Sequence, residues 1–251
     1  MRTDAALHPF PNGTRPGDVG YIVFRVPDLA RAQAFYGDLL GWTFTPGSEP
    51  DGRQVEGVAP DMGLSGGADV GGMSICWRVA DVGAAVERVR AAGGTSAEPE
   101  ERPYGMLADC VDDQGAVFFL WQPTDEQAAA ERDVSDDERP LNGQRHGDVS
   151  YLTLEVADAR KTCAFFVAVL GWQFPDHDFD GDPEGTMPMI GIWGGCDRAI
   201  GVPMYAVDDV EAAVTQVRAV GGVASDPERK PYGLTSDCAD DQGIHFSLGE
   251  V

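Results

Sequence analysis

Apolar and polar residues alternate over residues 19–26 (Val-Gly-Tyr-Ile-Val-Phe-Arg-Val), so one strand face carries Ile22, Phe24 and Val26 and the other carries Tyr21, Val23 and Arg25. The period then changes. Asp28 stands at a helix N-cap position, Leu29, Ala32, Tyr36, Leu39 and Leu40 recur at helical spacing, and Gly41 ends the run. A second strand-like stretch, residues 73–79, leads to Asp81 and a helical pattern of Val82, Ala85, Val86 and Val89 that closes at Gly93-Gly94. Short strand-like stretches separated by Gly, Pro and Asp follow each helix.

The whole pattern then returns. Gly-Asp-Val-Gly-Tyr at 17–21 is matched by Gly-Asp-Val-Ser-Tyr at 147–151, and Leu40-Gly41-Trp42 by Leu170-Gly171-Trp172. Asp158 precedes Phe165, Phe166, Val169 and Leu170, and the stretch Pro203 to Val207 precedes Asp209, Val210, Ala213, Val214, Val217 and Gly221-Gly222. Later matches pair Pro103-Tyr104-Gly105 with Pro231-Tyr232-Gly233, Asp109-Cys110 with Asp237-Cys238, and Asp112-Asp113-Gln114-Gly115 with Asp240-Asp241-Gln242-Gly243. The offset falls from 130 to 128 along the copy, so two residues are lost where loops are expected. The order β-α-β-β-β thus occurs twice per copy. The predicted class is α+β: four βαβββ modules form open curved sheets, with helices on one face and clefts on the other. The predicted divisions are a first domain over 17–122, an acidic linker over 123–146 and a second domain over 147–251. Residues 125–132 of the linker read as a short solvated helix, and residues 1–16 as an arm.

Bulk properties narrow the function. A hydrophobic content of 43% builds packed cores, and no apolar run approaches the roughly 20 residues of a membrane span. The N-terminus does not read as a secretory signal. Five cysteines without C-x-x-C spacing argue against a disulfide framework and suit a reducing cytoplasm. A net charge of −24 repels nucleic-acid phosphates; it either attracts a cationic ligand or is the ordinary acidic surface of a soluble protein.

Val26-Pro27-Asp28-Leu29, Phe35-Tyr36, Leu40-Gly41-Trp42 and the duplicated Gly-Gly, Pro-Tyr-Gly and Asp-Asp-Gln-Gly series resemble the vicinal oxygen chelate superfamily of glyoxalases, bleomycin-resistance proteins and dioxygenases. The resemblance covers nearly all of 17–122 and 147–249. It implies a metal position on the first strand of each module and a carboxylate on each last strand. In this chain those positions fall on Tyr21, Ser74 and Phe119 in the first copy and on Tyr151, Val202 and Ser247 in the second. Only Glu56 is an acid near a matching place. Such a set does not hold a divalent ion, so neither a metal nor another cofactor is expected.

Strand parity then assigns the cleft faces. Tyr21 and Tyr151 either stack on and hydrogen-bond a flat ligand or fill the room left by a metal. Arg25 and Arg78 share this parity in copy one, where they would hold an anion or lie at the rim; Glu155 and Ala206 replace them in copy two. Val117, Phe119 and Trp121 form an apolar strip, extended by Cys76 and Met204, that faces either a ligand or the other copy. His245 shares the parity of Ser247 and is either the candidate acid or base or a hydrogen-bonding or stacking residue of the cleft. His8 and His146 lie in the tail and linker, and His177 lies in an acidic loop. Trp42 and Trp172 are expected to close helix ends, Tyr104 and Tyr232 to sit at a turn or cleft lip, and the paired aspartates to shape turns.

The leading expectation is a metal-independent small-molecule binding protein that sequesters a hydrophobic or aromatic natural product. The alternative is a lyase, isomerase or hydroxylase-like enzyme using Tyr21, Tyr151 or His245. A third reading is an interaction module with filled clefts. No nucleic-acid or membrane partner is expected. The chain is expected to be a monomer or homodimer, the monomer being favoured because duplication replaces a dimer. Whether each cleft lies within a copy or between copies stays open.

Overall fold

Four aspartates start the four long helices. Asp28, Asp81, Asp158 and Asp209 have extended backbones and accept the N–H of Arg31, Ala84, Lys161 and Ala212, satisfying a donor that the first turn leaves without an intrahelical partner. The helices are α1 (Leu29–Leu40), α2 (Val82–Ala91), α4 (Ala159–Leu170) and α5 (Val210–Ala219). Gly41 and Gly171 stop α1 and α4 in left-handed conformations with φ of 68° and 77°. The computed structural model describes residues 13–132, 143–175, 182–197 and 199–250. His8 and His177 lie outside them.

Around these helices the first copy places β1 (Val19–Arg25), β2 (Thr43–Pro46), β3 (Gly52–Glu56), β4 (Met62–Ser65), β5 (Gly72–Arg78), β6 (Thr95–Ser96), β7 (Glu100–Arg102), β8 (Gly105–Val111) and β9 (Val117–Gln122). The second places β10 (Val149–Glu155), β11 (Met189–Trp193), β12 (Ile200–Val207), β13 (Val223–Ala224), β14 (Glu228–Lys230), β15 (Gly233–Ala239) and β16 (His245–Glu250). Between them α3 (Asp125–Arg132) starts on Thr124, which exchanges hydrogen bonds with Gln127 in a capping box.

Pairing runs β2-β3-β4-β1-β5-β9-β8 in the first copy, with β6 and β7 on the far edge of β8. It runs β11-β10-β12-β16-β15 in the second, with β13 and β14 on β15. The join at the centre of each copy is antiparallel, β1 to β5 and β10 to β12. The order β-α-β-β-β is therefore followed in three modules, with one strand divided into β6 and β7 and again into β13 and β14. The third module departs from the expected order: its described residues hold β10, α4 and β11, and residues 173–175 and 182–188, where two further strands were expected, form none, while residues 176–181 lie outside the described residues. A single bridge, Gly201 to Met73, links the two arrays into one open α+β sheet system.

The copies are joined chiefly by their helices. α2 packs on α4 and α1 on α5. Tyr36 of α1 meets Tyr205 and Phe246 of the second copy, and Phe166 of α4 meets Trp77 and Phe118 of the first. One apolar core consequently runs through both copies.

Polar contacts at this joint come in mirrored pairs. Trp42 Nε1 donates to the Gly147 carbonyl and Trp172 Nε1 to that of Gly17, each at 3.0 Å. Buried Asp18 accepts the N–H of Met187, and buried Asp148 accepts that of Ala59. Gln242 brackets the Asp28 peptide group, giving its amide to the carbonyl and accepting the N–H, and Gln114 does the same at Asp158. The motifs that reveal the duplication are thus the residues that fasten one copy to the other. Among the described residues no helix is long and apolar enough to cross a membrane.

Candidate functional site

Helices cover one face of each strand array, so alternate side chains on the opposite face are left to line a concavity. In β1 the core takes Ile22 and Phe24, both buried, while Tyr21 and Val23 face a cavity of about 270 Å³. Every residue lining it belongs to the first copy. A second cavity of about 850 Å³ is lined by residues of the second copy alone. Each cleft therefore lies within a copy, which resolves what the strand pattern left open.

The first cleft is built around Tyr21. Its hydroxyl donates to Gln54 Oε1 on β3 at 2.7 Å, so the ring lies across β4. Room for it exists because β4 carries Gly63 there: a Cβ built on Gly63 would collide with the Tyr21 hydroxyl. Beneath the cleft Trp121, fully buried, packs with Cys76, and Tyr104, Leu107 and Phe119 gather against them. Trp121 Nε1 is satisfied by the Tyr104 carbonyl at 2.8 Å. Arg53, with its guanidinium on the Gly52 carbonyl, and Glu49 supply the charge at the mouth. Burial raises the phenol of Tyr21 and the thiol of Cys76, so both stay protonated at neutral pH.

The second cleft repeats the anchor with a different partner. Tyr151 donates to the carboxylate of Asp182 at 2.9 Å, and Gly191 stands where Gly63 stands in the first copy. Burial first, and then the Asp182 carboxylate, raise the Tyr151 phenol. The rest of the lining is smaller and more polar. Ser247 replaces Phe119 and Gly249 replaces Trp121, which removes two large rings from the floor. Trp193 and Tyr232 stand at the walls, 68% and 70% exposed.

The thirteen parity-selected residues divide unevenly. Tyr21, Cys76 and Phe119 line the first cleft, and Tyr151, Val202, Met204, His245 and Ser247 line the second. Five do not reach the first cavity. Trp121 and Ser74 have the expected parity but are covered. Arg78 is buried beside Trp121 in the strand register, Arg25 lies at the far end of β1 opposite Gly72, and Val117 is 45% exposed beyond the cleft. Parity gives the face of a strand; depth along it is set by neighbours that parity does not describe. Glu56 is likewise exposed at the end of β3, bonded to Thr43, while Gln54, two positions earlier on the same face, is the cleft residue. The strand pattern also missed Arg53, Leu107, Asp182 and Trp193. The recurring glycines Gly63 and Gly191 are the one signal that could have marked the tyrosine anchors.

Other side chains have structural roles. Asp112 and Asp240 each accept two backbone N–H bonds within their own turns, from Gln114 and Ala116 and from Gln242 and Ile244. Trp42 and Trp172 are buried at the helix ends. Cys110 and Cys238 are buried, and the latter is pushed up to about 11 by that burial. His146 sits between Leu39 and Asp208.

The superfamily's metal enzymes need three or four N/O donors converging on an ion. Here the first cleft offers a phenol already bonded to an amide, a protonated thiol, apolar rings and one carboxylate, Glu49, at its mouth. The second has carboxylates and His245, but among the described residues no three His, Cys, Asp or Glu side chains group closely enough to share an ion. The donor set does not fit such a metal.

Comparison with known proteins agrees with this architecture. Residues 21–119 match the glyoxalase-like domain family. The chain is 28% identical to anthracycline biosynthesis protein DnrV of Streptomyces peucetius and 27% identical to anthracycline biosynthesis protein DauV of Streptomyces sp. strain C5, in each case over 94% of both chains. Among solved structures it resembles the Mn(II)-bound glyoxalase from Novosphingobium aromaticivorans, with a TM-score of 0.66, 20% identity, and coverage of 94% of this chain and 82% of that one. Residues 21–119 thus match the glyoxalase-like domain family, and the chain as a whole, with its duplicated modules and paired clefts, has the fold of the glyoxalases and extradiol dioxygenases among solved structures.

Proposed function

We propose that this chain is a metal-independent small-molecule binding protein of natural-product metabolism that holds a flat hydrophobic or aromatic ligand in its clefts. The observation that carries the reading is the repeated anchor. In both copies a tyrosine lies across the sheet over a glycine, its hydroxyl fixed by Gln54 or Asp182, where the superfamily's enzymes would place a ligand to the metal. A fixed aromatic face beside an open cavity suits stacking on a flat ring system. The full-length relatives are named as anthracycline biosynthesis proteins, and an anthracycline is a fused-ring aromatic compound, which supports a role in secondary metabolism over one in central metabolism. The five free cysteines suit a reducing cytoplasm, where we place the protein.

Ligand binding stabilises the folded state in proportion to RT ln(1 + [L]/Kd), about 2.7 kcal/mol at a hundredfold excess over Kd. Titration with fused-ring aromatic quinones should therefore raise the melting temperature in a concentration-dependent way, equally with EDTA or Mn(II) present. A bound metal whose removal abolishes the effect would sink the metal-independent reading.

His245 supports a second reading, that of an enzyme in the same pathway class. Its side chain lines the larger cleft, where a general acid or base would need to be. Turnover of a natural-product intermediate that is lost in a folded His245→Ala protein would favour catalysis over sequestration.

A further inference from the structure

The two clefts share an anchor but not a chemistry. The first is small and apolar, its floor filled by Phe119, Leu107 and the buried Trp121. In the second the same strand positions carry Ser247, Thr235 and Gly249, and the cavity is about 850 Å³ against about 270 Å³. That is the size range of sites for drug-sized molecules. The charges also differ. Where the first copy's Tyr21 meets a neutral amide, Tyr151 meets the Asp182 carboxylate, and Glu155, Asp237 and Glu250 line the same cavity. Among the described residues of its lining the one lysine, Lys230, is held by Glu228 at 2.8 Å, so it does not offset the others. Exposed rings of Trp193 and Tyr232 complete the wall.

Building on the small-molecule binding reading, we propose that the second cleft is the ligand site and that its ligand is a flat aromatic cation. The aromatic wall and Tyr151 take the ring system, and the positive charge lies beside Asp182, in the field of Asp237 and Glu155 elsewhere on the lining. Carboxylates in a concave, partly dry site focus a negative potential, and a cation facing Trp193 or Tyr232 gains attraction from the ring as well. A neutral ring of the same shape would gain only the stacking. The first cleft, although it lies in the part of the chain that matches the glyoxalase-like domain family, is the lesser site.

The test is direct titration of the full chain with 9-aminoacridine, a tricyclic cation at neutral pH, and with acridine, its neutral parent, at two ionic strengths. The cation should bind at least about tenfold more tightly, a difference of about 1.4 kcal/mol, and its affinity should fall with added salt. Asp182→Asn combined with Asp237→Asn, which keep side-chain size and leave an amide oxygen to accept the Tyr151 hydroxyl, should remove that preference. Ser247→Phe, which restores the first copy's ring, should block both probes; Phe119→Ser should block neither. Equal binding of the two probes would overturn the cationic class and leave small-molecule binding standing. Loss of binding in first-cleft variants alone would overturn the choice of cleft. Failure of both probes, together with no stabilisation by any aromatic quinone, would overturn the binding reading itself.

Discussion

A tyrosine can lie flat across a sheet only where the neighbouring strand gives up a side chain. Gly63 and Gly191 do this for Tyr21 and Tyr151, and a Cβ at Gly63 would also press on the Arg53 carbonyl of β3. Gly63→Ala should push the Tyr21 ring off its seat, break the bond to Gln54 and cost about 1–3 kcal/mol through overpacking. In the Tyr21→Phe background the hydroxyl that collides is gone, so the cost should shrink; equal costs in both backgrounds, measured by urea denaturation, would refute the account. Beside this anchor Asp61 carries a carboxyl that burial raises to about 7. Its folded value lies above its unfolded one, so the folded state binds the extra proton between them, and this contribution to stability falls as pH rises through 7. Asp61→Asn removes the titration. The variant should match the parent near pH 4 and exceed it by about 1–3 kcal/mol near pH 8.5, less than full burial would give because the carboxyl is partly solvated. A constant difference across that range would remove Asp61 from the explanation.

The connecting elements explain which motifs could be read and which could not. Asp28, Asp158, Gly41 and Gly171 were legible as caps because a cap acts within its own helix turn. The repeated Asp-Asp-Gln-Gly turn was legible as a turn, but the function of its glutamine was not. Gln114 reaches Asp158 and Thr162, and Gln242 reaches Asp28, across the joint between copies, and no local spacing encodes such a partner. The same reason hid Asp182, which comes to Tyr151 from outside any strand, and the depth of Trp121, whose parity was right. Gln114→Ala should leave the Asp158 N–H without its partner, take one of two donors from the Asp158 carbonyl, which keeps the Thr162 N–H, and loosen the start of α4. We expect about 1–2 kcal/mol of destabilisation from it, and a similar loss from Gln242→Ala at α1. Because the two sites lie on opposite sides of the joint, their effects should add within about 0.5 kcal/mol in the double variant. No change in urea midpoint for either single variant would show that the brackets are incidental.

Across the whole molecule the duplication does not produce two independent bodies. The sheet system crosses from copy to copy through one bridge, yet the core crosses through whole aromatic clusters. Phe166, on α4 of the second copy, contacts Trp77 and Phe118 of the first, with ring centroids 5.6 and 5.7 Å apart, and it also contacts Trp172. At the mirrored place Tyr36, on α1 of the first copy, lies against Tyr205 and Phe246 and donates to Asp240 at 3.0 Å. Each copy thus completes its core with a helix side chain from the other, and neither can lose its fold without uncovering the other's aromatic surface. Thermal unfolding should accordingly be one cooperative transition, with calorimetric and van't Hoff enthalpies in agreement. Phe166→Ala should lower it as a unit. The cost should be about 3–5 kcal/mol, and probes placed in either copy should report the same shifted midpoint. Two resolved transitions, of which only the second copy's moves, would mean that the mirrored contacts are too weak to couple the halves, and that the clefts sit on separable domains.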